Sequence, residues 1–194
     1  MLKKFLMTSF VFVSALSLVH ANPAPYVGAS LGIVTNTSPD AFTSLTTSGG
    51  YPVRSPSNFR GVPFSAFLGY GGMLYQNFYL AGELAATIGT ATISESGSLK
   101  TSYGFGASIL PGVYLSDHTM AYARLGVVNS RFTTLQKNVT GGQAGLGMQT
   151  SLTQNVDVRG EYDFTAYPSI TGPTGQVDAP RSDAYTLGII YKFD

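Results

Sequence analysis

Three short runs of residues could, by type and spacing, take part in catalysis. Residues 28–32 read Gly-Ala-Ser-Leu-Gly and match the G-x-S-x-G pattern, which exposes a nucleophilic serine on a strand-to-helix turn. Residues 116–118 read Ser-Asp-His and contain the residue types of a hydrolytic triad. Glu161 and Asp163 are two residues apart, as the paired acids of a glycosidase could be. Whether these residues have catalytic or structural roles depends on the secondary-structure elements that carry them.

The surroundings of all three runs favour structural roles. Ser30 lies within an alternating segment that no helix follows, and three neighbours in one short turn cannot converge as a triad does. His118 is the one histidine left if the first residues are removed, and Arg159 beside the two acids favours ion pairing. No grouping has metal-ligand spacing. We therefore expect no catalytic residue, no cofactor and no metal.

The first residues carry the features of a signal peptide. A basic start with Lys3 and Lys4 precedes an apolar run that is shorter than the roughly 20 residues a membrane helix needs. Small residues then predict cleavage between Ala21 and Asn22. Removal of the leader leaves 9 basic side chains against 10 acidic ones, with no basic patch that would favour nucleic acid.

The composition is that of a chain with little charge and many glycines and aromatic residues. Charged residues make up 11% of the sequence, Gly is 23, and Tyr and Phe are 12 each, while Cys is 0. Soluble proteins carry about 25% charged residues. No long apolar block follows the leader, so a membrane-embedded protein of this composition is expected to cross with strands, in which only alternate residues meet lipid.

Period-two alternation recurs along the chain and predicts about eight strands. In the last segment Tyr185, Leu187, Ile189, Tyr191 and Phe193 share one face, and small or polar residues fill the other. The predicted strands are residues 26–34, 60–70, 78–88, 100–115, 120–130, 141–150, 156–166 and 184–193. Short and long connections alternate between them, the longest being residues 36–58 and 167–182. This rhythm is typical of a transmembrane antiparallel up-and-down β-barrel, an all-β fold with residues 22–194 as its domain.

Several charged residues take the inward parity of their strands. The interior of an eight-stranded barrel is filled by side chains, and buried charges require partners. We predict a structural ion-pair ladder in which two arginines bridge three carboxylates. Its members are Glu83, Arg124, Arg159, Glu161 and Asp163. For Asp157 and Lys192, near strand ends, a solvated position at the barrel rim is an equal alternative.

Three segments resemble opacity-type and OmpA-like eight-stranded outer-membrane surface proteins. Residues 110–126 are similar to the central hairpin of that family, with a proline-glycine-x-tyrosine segment, a polar turn and a Tyr-x-Arg-x-Gly strand. Residues 158–162 read Val-Arg-Gly-Glu-Tyr and resemble its Arg-x-Glu-Tyr strand. Residues 185–193 resemble the closing strand, which in the family is the signal read by the barrel-assembly machinery, although Asp194 follows Phe193 here.

The resemblance implies a protein of the cell outer membrane that contacts outer-membrane lipid and lipopolysaccharide. The leading hypothesis is a structural surface protein whose loops, around residues 42–54 and 170–181, bind host surface or matrix molecules as an adhesin does. A narrow porin-like channel for ions or small solutes is the alternative, and a lipid-modifying enzyme is a third. No catalysis is expected from the leading hypothesis.

Overall fold

The computed structural model describes residues 23–46, 52–75, 77–96, 99–133, 135–172, 175–177 and 179–193, so the predicted leader lies outside the described residues. Within these ranges every regular element is a strand, and no helix is long and apolar enough to span a membrane. The strands are β1 (Ala24–Thr46), β2 (Pro52–Tyr75), β3 (Phe78–Ser96), β4 (Thr101–Tyr114), β5 (Thr119–Phe132), β6 (Lys137–Ser151), β7 (Val156–Ala166), β8 (Ile170–Gly172), β9 (Gly175–Val177) and β10 (Arg181–Lys192).

Eight of these strands close into a barrel. Each of β1 to β6 pairs antiparallel with its successor in the chain, and β10 pairs with both β7 and β1. The closing pair runs from Tyr26 opposite Lys192 to Thr37 opposite Arg181. The predicted all-β, eight-stranded antiparallel barrel is therefore confirmed.

One end of the barrel carries the short turns and the other carries the longer connections. The first, here the turn end, contains Asn77, the bend from Leu115 to His118, and the start of β1 beside the end of β10. The second, here the loop end, contains the end of β1, the start of β2 and the paired strands β8 and β9. This division follows the predicted alternation of short and long connections.

The outer surface of the barrel is a continuous apolar band. Large side chains of the outward parity are freely exposed, with Leu31 at 56%, Leu146 at 67% and Leu187 at 71% exposed. Toward the loop end the outward positions turn polar at one level of the sheet, at Thr35 of β1 and its strand partner Arg60 of β2. An exposed apolar surface of this extent is expected to face lipid.

The strands at the loop end are longer than the sequence predicted. The segment 36–58 was predicted as a connection, but β1 and β2 continue through it and remain paired as far as Thr46 opposite Pro52. The predicted loop 170–181 contains β8 and β9, and β9 pairs with β1 at residues 41–43. The alternation of apolar and polar residues did not predict these strands. Their sequence is polar and rich in Ser and Thr, because neither face of a strand outside lipid needs to be apolar.

The barrel interior is filled by two layers of buried side chains. The turn-end layer lies near the short turns and consists of Tyr26, Phe67, Ala81, Leu110, Met120, Tyr122 and Ile190. The loop-end layer lies at the other mouth and consists of Val34, Phe59, Leu99, Phe132, Leu135, Tyr167 and Ile170. Burial raises the pKa of Tyr167, whose hydroxyl shares a hydrogen bond of 2.9 Å with Ser130 Oγ. Both ends of the barrel interior are thus occupied by packed side chains.

Candidate functional site

The candidate site is the charged interior between the two layers. Glu83 lies on β3, Arg124 on β5, and Arg159, Glu161 and Asp163 on β7. Alternation along each strand turns all five side chains away from the lipid-facing surface. The structure therefore brings together every residue of the predicted ladder, here called the charged cluster.

Glu83 is the centre of the charged cluster. One carboxylate oxygen lies 2.6 Å from Arg124 Nη2, and the other lies 2.6 Å from Arg159 Nη1. Tyr26 of the turn-end layer donates a third hydrogen bond to Glu83 Oε2 at 3.1 Å. The Glu83 side chain is 0% exposed, so these three donors replace the hydration that it loses on burial.

The second acid of the cluster is Glu161, which faces Arg124 from β7. Its Oε1 lies 3.0 Å from Arg124 Nε, while Oε2 accepts a hydrogen bond from Arg124 Nη2 at 3.0 Å. Tyr122 also donates to Oε2 at 2.5 Å. Arg124 therefore joins two carboxylates from different strands.

Asp163 is held more loosely than the other two acids. Its Oδ1 lies 3.6 Å from Arg124 Nε and has no hydrogen-bond partner, although the residue is only 8% exposed. Two acidic side chains with an i, i+2 spacing share one face of a strand. Glu161 and Asp163 accordingly form a side-chain hydrogen bond with each other, with one proton shared between them, beside the single guanidinium of Arg124.

Arg159 is enclosed by aromatic rings that the sequence reasoning did not identify as part of the site. Its guanidinium carbon lies 4.8 Å from the ring centroid of Phe67, 5.2 Å from that of Tyr122 and 5.8 Å from that of Tyr26. A guanidinium over the face of an aromatic ring is stabilised by the ring quadrupole. The sequence signal that could have identified these aromatic residues is their position on the inward parity of their strands.

A polar chain continues from Arg159 toward the turn end. Arg159 Nη2 donates to Gln149 Oε1 at 3.2 Å, and Gln149 Nε2 donates to Asp157 Oδ2 at 2.6 Å. Lys192 Nζ lies 2.9 Å from Asp157 Oδ1. Asp157 is only 2% exposed, so the pair is buried on its acidic side and partly solvated on its basic side.

Inward glycines provide the space that the long side chains occupy. A Cβ atom at Gly145 would meet the carboxylate of Asp163, and one at Gly147 would meet the ring of Tyr122. Both glycines lie on β6, between β5 and β7. The alternation of glycine with charged or aromatic residues across neighbouring strands lets the interior pack closely.

A cavity of about 130 Å³ lies between the charged cluster and the loop-end layer. Its wall includes the five charged side chains, Tyr167 of the loop-end layer, and the hydroxyl or amide groups of several other residues. These polar lining residues include Ser30, Ser65, Ser108, Ser130, Gln143, Thr165 and Ser182. The wall of the cavity thus combines polar and apolar groups, and residues at both of its ends are buried.

The runs that resembled catalytic motifs are not brought together. Ser30 lines the cavity from within β1, opposite Gly188 of the neighbouring strand. Asp117 and His118 lie exposed in the turn between β4 and β5, at the opposite end of the barrel from the loops. Among the described residues, no three His, Cys, Asp or Glu side chains are arranged to hold a metal ion.

Comparison with known proteins identifies similar sequences at the family level. The family model of the outer membrane protein beta-barrel domain matches residues 5–193. None of the curated proteins matches this sequence.

Among solved structures, three similar ones have low sequence identity to this chain. Ail, the attachment invasion locus protein of Yersinia pestis, is 16% identical over 88% of this chain and 99% of its own, with a TM-score of 0.47. Neisserial surface protein A is also 16% identical, over 89% of this chain and 99% of its own, with a TM-score of 0.47. OprG from Pseudomonas aeruginosa is 14% identical over 90% and 99%, with a TM-score of 0.42.

Proposed function

Because the chain belongs to the family of the outer membrane protein beta-barrel domain, we propose that it is a non-catalytic surface protein that binds molecules outside the cell. In this proposal the barrel anchors the protein in the outer membrane. Binding belongs to the loop-end extension, defined as the parts of β1, β2 and β3 beyond the apolar band together with β8 and β9. Host surface or matrix molecules are the candidate partners.

The length and pairing of the loop-end extension carry this proposal. A membrane-crossing strand needs about 9–11 residues, but β1 and β2 have 23 and 24. From Ile33, the last large apolar side chain of β1 that the structure describes on the outer surface, the strand continues for 13 residues to Thr46. At about 3.3 Å per residue this length corresponds to roughly 40 Å. Pairing with β9 adds further structure to the extension, so it offers an ordered surface beyond the lipid.

The closed interior supports an anchor more strongly than a channel. A solute that crossed the barrel would have to displace the loop-end layer, the charged cluster and the turn-end layer in turn. Phe59 and Phe132 are 0% exposed in the first layer, and Arg159 lies among three rings nearer the last. Conduction requires a continuous path of water or polar groups. We therefore expect refolded protein in planar bilayers to produce no stable conductance steps.

The binding role can be tested by shortening the β1–β2 hairpin. Residues 39–56 are replaced by Asn-Gly, a two-residue turn that joins Ser38 to its strand partner Ser57. Cells that display either protein are applied to immobilised matrix proteins and sulfated glycans. Intact protein should retain the cells, and the shortened protein should lose at least about nine-tenths of the retention, since a few contacts dominate binding energy.

A second shortening serves as the matched control. The turn at residues 152–155 is replaced by Asn-Gly, which changes the periplasmic end and leaves the loop-end extension intact. Both variants must show the heat-dependent gel shift of a folded barrel. Equal retention by the intact and loop-shortened proteins would overturn the proposed role, as would failure of the intact protein to bind any tested surface.

Export and assembly are proposed to follow from the two ends of the sequence. A leader cleaved between Ala21 and Asn22 would give a mature chain that begins at Asn22, which intact-mass measurement of the membrane-extracted protein can test. The proposed assembly signal is the exposed face of β10 together with Phe193, which directly follows the strand. It consists of Tyr185, Leu187, Ile189, Tyr191 and Phe193. Phe193→Ala should lower the amount of assembled barrel, and an unchanged amount would argue against this signal.

A further inference from the structure

Arginines on the outward face of the barrel lie at the loop end. Among the strand side chains that the structure describes, the outward basic ones are Arg60 of β2, Arg131 of β5 and Arg181 of β10. Each lies on the part of its strand beyond the apolar band. In the turn-end half of the same described strands, no outward position carries a lysine or an arginine. The two ends of the lipid-facing surface therefore differ in charge.

Arg60 and Arg181 flank the same strand, β1. Arg60 is the strand partner of Thr35, and Arg181 is the strand partner of Thr37, so all four side chains share the outward face. Neighbouring strands lie about 4.8 Å apart, so roughly 10 Å separates the two strands that carry the arginines. Arg60 Nε lies 3.5 Å from Thr35 Oγ1, so this side chain extends over β1. Both arginines are exposed.

Neighbouring acids do not neutralise this pair of arginines. Asp183 is the other strand partner of Thr35, and its Oδ1 accepts a hydrogen bond of 2.6 Å from the hydroxyl of Tyr162 on β7. Because β7 and β1 lie on opposite sides of β10, this carboxylate is directed away from β1. Within the described residues, neither Arg60 nor Arg181 forms an ion pair. Two guanidiniums against one carboxylate leave a local surplus of positive charge over β1.

We propose that Arg60 and Arg181 bind a phosphate group of a lipid in the outer leaflet, with the hydroxyls of Thr35 and Thr37 as further donors. A guanidinium matches phosphate oxygens with two parallel hydrogen bonds, which are strengthened by the opposite charges. The longer loops of an outer-membrane barrel face the outside, so the loop end lies beside the outer leaflet. An anionic lipid in that leaflet also accounts for the absence of outward basic residues in the described turn-end strands.

The level of the two arginines favours a lipid over a soluble ligand. The apolar outer surface of β1 ends at Ile33, and Thr35 is the next outward position. At about 3.3 Å per residue, Thr35 lies roughly 7 Å beyond Ile33 along the strand. The polar head-group region of a bilayer extends about 5–8 Å beyond the hydrocarbon core on each side. The stems of the arginines can therefore lie against the apolar band while their guanidiniums reach the head groups.

The test counts the lipid molecules bound to the barrel by native mass spectrometry. Protein refolded in a nonionic detergent is mixed with lipid A, the phosphorylated glycolipid anchor of lipopolysaccharide, or with the same lipid after removal of its phosphates. The natural sequence should carry the phosphorylated lipid at least about tenfold more often, because charge-assisted hydrogen bonds to phosphate are lost with the phosphates. Equal loading by the two lipids would overturn the proposal, and this comparison requires no variant to fold.

A double variant then locates the site. Arg60→Gln with Arg181→Gln removes both guanidiniums but keeps long polar side chains, and it should lose at least about nine-tenths of the lipid A loading. Arg131→Gln with Lys137→Gln is the matched control, because it removes the same charge from β5 and β6. Lys137 is the strand partner of the buried Phe132 and so does not share the outward face with Arg131. Both variants must show the heat-dependent gel shift, and equal loading of the two would overturn the proposal.

Two further arms separate this inference from the proposed binding of host molecules. Excess heparin oligosaccharide should leave the lipid A loading unchanged, because the lipid is also held by its acyl chains at the apolar band. Displacement by heparin would assign the arginines to sulfated glycans and overturn the lipid inference, while it would agree with the host-binding role. The protein with the shortened β1–β2 hairpin keeps Arg60 and Arg181 and should load lipid A normally, even where it no longer retains cells.

Discussion

The charged cluster takes all its side chains from regular positions of β3, β5 and β7, whereas the loop-end layer draws much of its packing from outside the barrel strands. Leu99 precedes β4, Leu135 lies in the β5–β6 turn, and Tyr167 and Ile170 follow β7. One region is held by ion pairs and the other by apolar contact. The two can therefore be perturbed separately, and their responses should differ in size and kind.

The largest effect is expected from removal of the arginine that joins two acids. Arg124→Ala leaves Glu83 with one guanidinium and Glu161 without its main partner, both in a buried site. Loss of one member of a buried ion pair costs about 3–5 kcal/mol of unfolding free energy. Urea unfolding in detergent and the heat-dependent gel shift should both show the loss.

The matched control for this change is Arg131→Ala. Arg131 also lies on β5, but its partner Asn138 is exposed, and their hydrogen bond measures 3.1 Å. Exposed polar contacts contribute at most about 1 kcal/mol. Similar losses for the two arginine variants would contradict the importance of the charged cluster.

A slightly smaller loss is expected from a truncation in the loop-end layer. Phe132 is 0% exposed and packs edge-to-face against Tyr167, with ring centroids 5.2 Å apart. Phe132→Ala should cost about 3 kcal/mol through the cavity it leaves. Because the charged cluster and the turn-end layer still close the barrel, bilayer recordings should remain silent. New conductance in this variant would show that the loop-end layer alone seals the interior.

Phe105→Ala is the matched control for Phe132→Ala, because it removes the same side chain from the outer surface of the barrel instead of from its interior. Phe105 is 61% exposed on the apolar band, where detergent or lipid can fill the vacated space. Its loss should therefore cost clearly less than that of Phe132. Equal costs would mean that the loop-end layer is not tightly packed.

The contrast between the two regions also explains what sequence could and could not predict. Alternation fixes which residues of a barrel strand face inward, so Glu83, Arg124 and Glu161 could be placed in one interior from spacing alone. The same rule cannot place Leu99 or Leu135, because each lies in a connection where no period applies. The aromatic partners of Arg159 were readable as inward residues, but their contacts depend on barrel curvature and register.

The loop-end extension shows the same limit. Outside lipid neither face of a strand must be apolar, so the composition of residues 36–58 indicated a loop while the backbone pairs as a hairpin. The looser position of Asp163 was also unreadable from sequence, because it depends on a distance of 3.6 Å to a guanidinium that other acids approach more closely.

A moderate effect is expected from a methyl group added beside the charged cluster. At Gly145 the new Cβ would lie 2.7 Å from the backbone oxygen of Tyr162 and would also meet the carboxylate of Asp163. Gly145→Ala should therefore cost about 2 kcal/mol, since the backbone of β7 must shift. Gly142→Ala on the same strand meets nothing within 4 Å and should be neutral. Two neutral substitutions would show that the cluster packs less closely than described.

The smallest effects should come from the removal of single hydroxyl groups, one in each region. Tyr122→Phe removes a donor to the ionised Glu161 at 2.5 Å, whereas Tyr167→Phe removes a bond of 2.9 Å to the neutral Ser130. Hydrogen bonds to charged groups contribute about 1.5 kcal/mol or more and neutral ones about 1 kcal/mol. Urea unfolding of both variants should therefore place Tyr122→Phe below Tyr167→Phe in stability. The reverse order would mean that the loop-end layer depends more on its polar contact than the charged cluster does, because the ring of each tyrosine is retained and only the hydroxyl differs.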